Sequence, residues 1–417
     1  MAFSREETQV IELEVLEEIG MTAALATVLL CIGYLAFTVD KKQENFPVPV
    51  VLVLIGIGLS FLPYFKEIEV TETMIYDVFL PGLLFVSAYQ FSTDALRKNA
   101  GIIGLLSTVG LGLTIALVGL AVYWIGGWFF SISLAGAMVI AAVLAPTDPA
   151  SVVSILKKSS PDKSIADIVD GESMINDGTS IVLFSVLAGI YLESQSLDVL
   201  SVLGEFFYVS AGGVILGVAV GWLLSKAVHI THHRDYQVML SIALAYGAFQ
   251  LAESFGFSGV LATVSAGIML SWEFSHANKE DHYREALSGF WDVVEPSLLS
   301  LLFLLIGIEA TEHLVWDNWL LAILILFVSI AIRFVIVGGT FKLLAGTKHE
   351  AIWKKALLIS WSGIRGSMSV FLLLQLGVMA AGGAADELIS LSFSVVILSL
   401  IIQSLGIHPL SKLLESK

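Results

Sequence analysis

Charged residues are scarce in this chain, and their scarcity excludes a soluble protein. Asp, Glu, Lys and Arg make up 14% of the 417 residues, hydrophobic residues make up 57%, and the mean hydropathy is +0.88. Soluble domains average about 25% charged and about 45–50% apolar residues. The composition therefore predicts a polytopic membrane protein.

Cysteine and basic residues are also scarce. The single cysteine, Cys31, lies in the first apolar stretch, so no disulfide can form within the chain. The net charge of −16 argues against nucleic acid as a partner, because nucleic acid requires a basic surface. The first 18 residues are acidic, so we expect a short acidic extracytoplasmic tail over 1–18 rather than a cleavable signal peptide.

Long apolar runs recur along the chain. We count thirteen, and each is long enough to cross the ~30 Å hydrocarbon layer as a helix. They cover about 19–39, 47–63, 74–92, 100–124, 131–156, 165–190, 198–225, 236–254, 257–273, 290–311, 317–341, 353–380 and 387–409. We number them spans 1–13 and predict an all-α polytopic fold, with one membrane transport domain over 19–417.

The basic residues set the number and direction of the spans. If the N-terminus lies outside and the spans alternate, seventeen of the 21 Lys and Arg residues fall in inside loops and only Arg5 and Lys66 fall outside. Cytoplasmic loops carry such an excess of basic residues. We therefore predict thirteen spans with the C-terminus in the cytoplasm. The remaining two basic residues, Arg333 and Arg365, lie within spans and need partners there.

Two spans are interrupted by residues that break helices. Span 5 contains Ala-Pro-Thr-Asp-Pro at 145–149, and span 12 contains Trp-Ser-Gly-Ile-Arg-Gly-Ser at 361–367. They lie seven spans apart, an odd number, so the units that contain them have opposite orientations in the membrane. Two discontinuous helices of this kind predict inverted repeats with a binding site near the middle of the membrane.

The break in span 5 offers oxygen ligands for a cation. Pro146 and Pro149 lack backbone donors, so the helix is expected to open there and free carbonyl oxygens. These carbonyls, the Thr147 hydroxyl and the Asp148 carboxylate are hard ligands that suit a small alkali cation. A proline kink capped by Asp148 explains the same residues, and the break alone does not separate the two interpretations.

Span 6 carries polar residues that a bilayer rejects. Ser173 and Asp177 lie four residues apart on one helical stripe, which Asp170 extends toward a cytoplasmic funnel, and Glu172 and Asn176 form the neighbouring stripe. A charged residue at mid-membrane costs about 2.5–3.5 kcal/mol on insertion scales, so such residues mark ion or proton paths or find partners. For Ser173 alone, packing between helices is the better explanation, but packing does not require the Asp177 carboxylate.

Asp177 is the candidate for the exchanging group. A buried carboxylate can hold either a proton or Na⁺ but not both, and this competition couples the two flows without a separate gate. Arg365 is the candidate counter-charge, and we predict that it pairs with Glu172 and leaves Asp177 to titrate. Pairing of Arg365 with Asp148 or Asp177 would instead neutralise the site. We interpret Arg333 as a structural charge on an interior face.

The same residues resemble those of a known family. Gly-Glu-Ser-Met-Ile-Asn-Asp-Gly at 171–178, which follows Ala-Pro-Thr-Asp-Pro-Ala at 145–150, is similar to the paired signature of NhaP-type sodium/proton antiporters in the monovalent cation/proton antiporter superfamily. Gly-Ile-Arg-Gly at 363–366 is similar to the Gly-x-Arg-Gly element of that family. Phe-Ser-Gly-Val-Leu-Ala at 257–262 and Leu-Arg-Lys-Asn at 96–99 also fit. The likeness extends over nearly all thirteen spans.

The resemblance implies an activity and a site. Asp177 would be the main carrier of the cation and the proton, with Asp148, Ser173 and the Thr147 backbone as supporting ligands of Na⁺. Asn176 stands where electrogenic relatives carry a second Asp, which implies an electroneutral one-for-one exchange of Na⁺ (or Li⁺) for H⁺. No cofactor is expected beside the transported ions.

The resemblance also implies an architecture. The protein would be a homodimer in the prokaryotic cell membrane, with lipid and no soluble protein as its surroundings. A core of spans at about 100–190 and 317–409 would move against dimerisation spans at about 19–92 and 236–311. The span at about 198–225 would link them.

One position departs from the family. Many relatives carry a Glu in the third span after Leu-Leu-Phe, whereas here Leu-Leu-Phe at 83–85 continues as Val86-Ser87-Ala88. Either Ser87 and water take its place or the ligand set differs, which leaves Na⁺, Li⁺ and K⁺ as candidate ions. A K⁺/H⁺ exchanger or a channel-like cation transporter on the same fold is the alternative function. An intramembrane aspartyl protease could use two aspartates such as Asp148 and Asp177, but such proteases usually carry a Gly-x-Gly-Asp element, which this chain lacks. We therefore predict a transporter and not an enzyme.

Overall fold

The protein was analysed as a computed structural model. The structure describes residues 23–39, 48–66, 68, 70–129, 131–148, 152–153, 156–157, 163–193, 199–228, 234–276, 281–313, 319–345, 349–380 and 385–415. The predicted acidic tail over 1–18 lies outside these residues. The described part of the chain is almost entirely helical and contains no strand, which confirms the predicted all-α class.

Fourteen helices make up the thirteen spans of the described chain, because span 12 contributes two. They are α1 (Ala23–Val39), α2 (Val48–Leu59), α3 (Met74–Gln90), α4 (Thr93–Gly126), α5 (Leu134–Val143), α6 (Lys163–Glu193), α7 (Val199–Val228), α8 (Arg234–Ser254), α9 (Gly259–His276), α10 (Asp281–His313), α11 (Trp319–Ala345), α12 (His349–Trp361), α13 (Ser367–Met379) and α14 (Asp386–Glu415). A single further turn at Pro63–Lys66 follows α2. Six of them, α4, α6, α7, α10, α11 and α14, contain apolar stretches long enough to cross a membrane unaided.

Two helices begin earlier than the apolar runs predict. Helix α4 begins at Thr93 rather than near residue 100, because the Ser92 hydroxyl caps it by accepting a hydrogen bond from the Ala95 N–H at 3.3 Å. Helix α10 begins at Asp281 rather than near residue 290. A helix continues into the polar interface as long as its backbone bonds are made, and hydropathy marks only the part in hydrocarbon.

The described residues within the two predicted breaks, 145–148 and 362–366, contain no helix. Helix α5 ends at Val143, before Pro146, which has no backbone donor to continue the ladder. Helix α12 ends at Trp361, and α13 begins six residues later at Ser367. Both discontinuous helices therefore lie where the sequence places them.

The helices pack as two sets. One set contains α2, α3, α8, α9 and α10, and the other contains α4, α5, α6 and α11–α14. Helix α7 packs on α8 and α9 and also reaches α6. Helix α7 lies so close to α9 that residue 217 must be glycine, since a Cβ at Gly217 would lie 2.7 Å from the Ala262 Cα. The functional division of these sets into a moving core and a dimerisation domain stays a prediction.

Candidate functional site

The two unwound segments touch each other. The N–H of Asp148, after α5, donates to the carbonyl of Ile364, between α12 and α13, at 2.7 Å. Their approach is close enough that a Cβ on Gly366 would overlap the Asp148 side chain. Glycine is therefore needed at 366, and the Gly-Ile-Arg-Gly sequence has a structural reason to accompany the Asp148 break.

The Asp148 carboxylate lies at the N-terminus of α13. Its Oδ2 accepts hydrogen bonds from both the N–H and the hydroxyl of Ser367, each at 3.3 Å. The first N–H groups of a helix have no partner within the helix and carry a partial positive charge, which favours an anion. Asp148 is thus held as a capping group of α13 and still faces the cavity described below.

Residues 173 and 176 of α6 join the span 5 break to span 6. The Ser173 hydroxyl donates to the Thr147 carbonyl, and the Asn176 side-chain amide donates to the Thr147 hydroxyl at 3.0 Å. The carbonyl of the same Asn176 amide lies 3.5 Å from the Thr147 N–H. Thr147, Ser173 and Asn176, all residues of the predicted cation and proton site, therefore come together. Asn176 and Ser173 also give partners to the N–H and the carbonyl of Thr147, which lie in the break and outside any helix.

Asp177 lies one turn beyond Ser173 on the same stripe of α6. Its Oδ1 atom is buried and has no hydrogen-bond partner among the described residues. A buried polar atom without a partner is costly and is rare in folded proteins. Such an atom fits a group whose partner is a proton or a transported ion.

A cavity of about 360 Å³ connects these residues to the surface. It lies between helices of the two sets and reaches the surface at Lys157, whose side chain is 57% exposed. Its polar lining consists of Ser87, Gln90, Asp148, Lys157, Asp170, Ser173, Asp177, Glu295 and Ser367. Asp170 lies in it as the predicted funnel residue and forms an ion pair with Lys157 at 3.8 Å.

The predicted pairing of Glu172 with Arg365 is wrong. The Glu172 Oε2 lies 2.6 Å from the Nη2 of Arg333, and both side chains are at least 94% buried. Arg333 comes from α11, which packs against α4 next to α6. Sequence shows that both arginines lie in spans, but only the rotation of α11 decides which of them faces Glu172.

Arg365 serves its own break instead. Its Nη1 donates to the carbonyl of Gly363 at 2.8 Å, and its N–H donates to the hydroxyl of Ser399 in α14 at 2.9 Å. The carbonyl of Trp361, at the end of α12, accepts from the side-chain amide of Gln403 at 2.7 Å. Arg365 therefore holds the unwound segment in place and lies within electrostatic range of Glu172 and Arg333 without contacting the cavity.

Three residues of this arrangement were not identified from the sequence. Ser367 lies at the end of the predicted break in span 12, but nothing in the sequence singles out this uncharged residue as the partner of Asp148. Gln403 is also uncharged and does not interrupt an apolar run, although it is the only side-chain amide within span 13. Glu295 lies near the predicted start of span 10, a position that suggests a charge at the membrane interface. In the third span, Val86 is buried among aromatic residues and Ser87 lines the cavity, so α3 contributes a hydroxyl and no carboxylate.

Comparison with known proteins shows which family this fold belongs to. Residues 25–413 match the model of the family described as sodium/hydrogen exchanger, transmembrane. The chain belongs to the sodium/hydrogen exchanger family. This family consists of transporters and not of enzymes, as predicted.

Relatives of this exchanger cover almost its whole length. The Na⁺/H⁺ antiporter NhaH of Halobacillus dabanensis is 32% identical over 92% of this chain and 96% of its own. The Na⁺/H⁺ antiporter NhaP of Pseudomonas aeruginosa is 30% identical over 95% of this chain and 96% of its own. The solved structure of the sodium proton antiporter MjNhaP1 from Methanocaldococcus jannaschii covers 96% of this chain and 100% of its own, with a TM-score of 0.76 at 20% identity. That structure establishes the shared fold.

Proposed function

We propose that this exchanger moves Na⁺ (or Li⁺) in one direction and H⁺ in the other across the cell membrane. The observation that carries the proposal is the Asp177 carboxylate, which lines the cavity beside the contact between the two broken helices and whose Oδ1 atom is buried without a partner in the described chain. The relatives named above are Na⁺/H⁺ antiporters, which supports the same assignment.

The coupling is a competition for Asp177. A proton or a cation neutralises the carboxylate, and the two cannot occupy it together. The cation is held by Asp177 and Asp148 with Ser173, Thr147 and Asn176 as neutral oxygen donors, a set that suits a hard alkali ion. The bonds from Ser173 and Asn176 to Thr147 keep these donors in one place before the ion arrives.

Transport then requires that the cavity open alternately to either side. The cavity meets the surface at Lys157 and Asp170, on the side that the basic loops assign to the cytoplasm, which supports an inward-facing assignment for this conformation. Movement of the set that contains α5, α6 and α13 against the set that contains α3 and α10 would close this side. In a homodimer, the set that contains α3 and α10 would stay fixed.

The first test is Na⁺-driven proton movement in liposomes that contain the purified protein. Addition of Na⁺ or Li⁺ to liposomes with an acidic interior is expected to raise the interior pH, because each entering cation displaces a proton. A pH-sensitive dye inside the liposomes measures the change. Response to K⁺ alone would favour the K⁺/H⁺ alternative, and cation flux without any pH change would favour a channel.

The exchange is expected to be electroneutral. Asp177 is the only carboxylate of the pair at 176–177, because residue 176 is an Asn, so one proton leaves for each Na⁺ that binds. A membrane potential set with K⁺ and valinomycin should therefore leave the exchange rate unchanged. A rate that rises or falls with the potential would contradict a one-for-one exchange.

A further inference from the structure

Glu295 is an acidic residue of the transport cavity that the exchange mechanism above does not use. It lies on α10, on the wall opposite the broken helices, and shares that face with Leu299 one turn later. The rotation of α10 is fixed one turn earlier by Trp291, which is buried and donates from its indole N–H to the Ser241 hydroxyl at 3.1 Å. The Glu295 side chain is therefore held toward the cavity by packing.

The charge of Glu295 is not balanced by a contact. Asp170, the other acidic residue near the surface end of the cavity, has Lys157 as its ion-pair partner. Within the described residues, no hydrogen bond or ion pair reaches the Glu295 carboxylate. An acid inside a membrane span without a partner persists where it meets water or binds a cation.

The cavity is large enough to keep an entering cation hydrated. Its 360 Å³ corresponds to about twelve water molecules at about 30 Å³ each. Across this space lies Asp177, the residue proposed above to bind the ion. Glu295 lies within electrostatic range of Lys157 and Asp170 at the surface end of the cavity, so a cation that enters past Lys157 meets Glu295 before it loses water to Asp148 and Asp177.

We propose that Glu295 attracts the alkali cation into the cavity and holds it, still hydrated, on the α10 wall before transfer to Asp177. This inference rests on the proposed exchange function and adds a residue that sets the affinity for the cation. Its action is electrostatic and acts at a distance, so it is sensitive to salt in a way that direct ligation is not. Its role is to raise the local concentration of the cation and not to exchange a proton.

The test compares Glu295→Gln with the wild type in Na⁺-driven proton movement at pH 8.5. We expect the KM for Na⁺ to rise about three- to tenfold at low ionic strength, which is the effect of losing one charge several ångströms from the ion. The maximal rate should stay the same, because the exchanging group is intact. Addition of an impermeant salt such as choline chloride should shrink the difference, and Glu295→Asp should restore most of the affinity.

Asp292→Asn is the matched control. Asp292 lies one turn before Glu295 on the same helix, is exposed, accepts from the Gln90 side-chain amide at 3.2 Å and does not line the cavity. Its loss removes the same charge and should change the KM less than about twofold. Melting temperatures of both variants check that the fold is kept.

Failure of this inference is separable from failure of the proposed function. A wild type that moves no protons in response to Na⁺ overturns the exchange function itself. If the wild type exchanges and Glu295→Gln behaves like Asp292→Asn, Glu295 does not recruit the cation. A lower maximal rate with an unchanged KM also overturns the inference, because it indicates a role in the conformational change.

Discussion

Asp177→Asn is expected to abolish Na⁺-driven proton movement while the protein stays folded. Asn has almost the same volume as Asp, but it carries no titratable proton and no charge to bind Na⁺. The amide nitrogen of Asn can take the place of either carboxylate oxygen, and neither oxygen accepts a hydrogen bond among the described residues, because the bond from the Ser180 hydroxyl goes to the backbone carbonyl of Asp177. The change therefore removes the chemistry without removing a structural contact. Proton movement in liposomes and the melting temperature measure the two effects.

Competition between Na⁺ and H⁺ at Asp177 predicts a second, independent result for the same variant. Na⁺ binding to the detergent-solubilised wild type should release protons, which a pH indicator in weakly buffered solution records, and binding to Asp177→Asn should release none. Wild-type exchange in the variant would refute the assignment. Na⁺ binding to the wild type without proton release would refute the competition, even if the variant is inactive.

Asp167→Asn is the control for this experiment. Asp167 lies ten residues earlier on α6, about 15 Å along the helix axis, and does not line the cavity. It is expected to keep exchange activity within about twofold of the wild type. Equal losses in Asp167→Asn and Asp177→Asn would indicate that α6 tolerates no change of charge, and Asp177 would lose its special role.

The sequence predicts the positions of the breaks because they depend on local chemistry. Proline removes a backbone donor wherever it stands, so α5 must end before Pro146 whatever surrounds it. The stripe of Ser173 and Asp177 follows in the same way from the helical repeat. These local rules place Thr147 in the break and Ser173 on the polar stripe, and packing of α5 on α6 then brings Thr147 into contact with Ser173 and Asn176.

The sequence does not predict the contacts that depend on how one helix is rotated against another. The sequence predicts that Arg333 and Arg365 are both buried charges. It does not predict that packing of α11 on α4 turns Arg333 toward Glu172. The role of Glu295 could not be predicted for the same reason, because hydropathy gives the depth of this residue in the membrane and not the side of α10 on which it lies. A π-helical turn at Leu106–Gly110 adds a further contact of this kind, since it lets the Ser107 carbonyl accept from Thr179 of α6 at 2.8 Å.

The ion pair between Glu172 and Arg333 is expected to dominate the stability of this region. Glu172→Gln should lower the free energy of unfolding by about 3–5 kcal/mol, because it leaves the Arg333 guanidinium buried without its counter-charge. Replacement of both residues, as in Glu172→Gln with Arg333→Met, should cost much less than the sum of the two single changes. SDS titration in mixed micelles measures each free energy.

The same measurement decides which arginine is the partner. A double-mutant cycle of Glu172→Gln with Arg333→Met should give a large coupling energy, whereas the cycle with Arg365→Met should give a small one, because Arg365 donates to Gly363 and contacts Glu172 nowhere. Arg365→Met should instead destabilise the unwound segment and slow exchange. A larger coupling of Glu172 with Arg365 than with Arg333 would reverse this assignment and restore the pairing expected from the sequence.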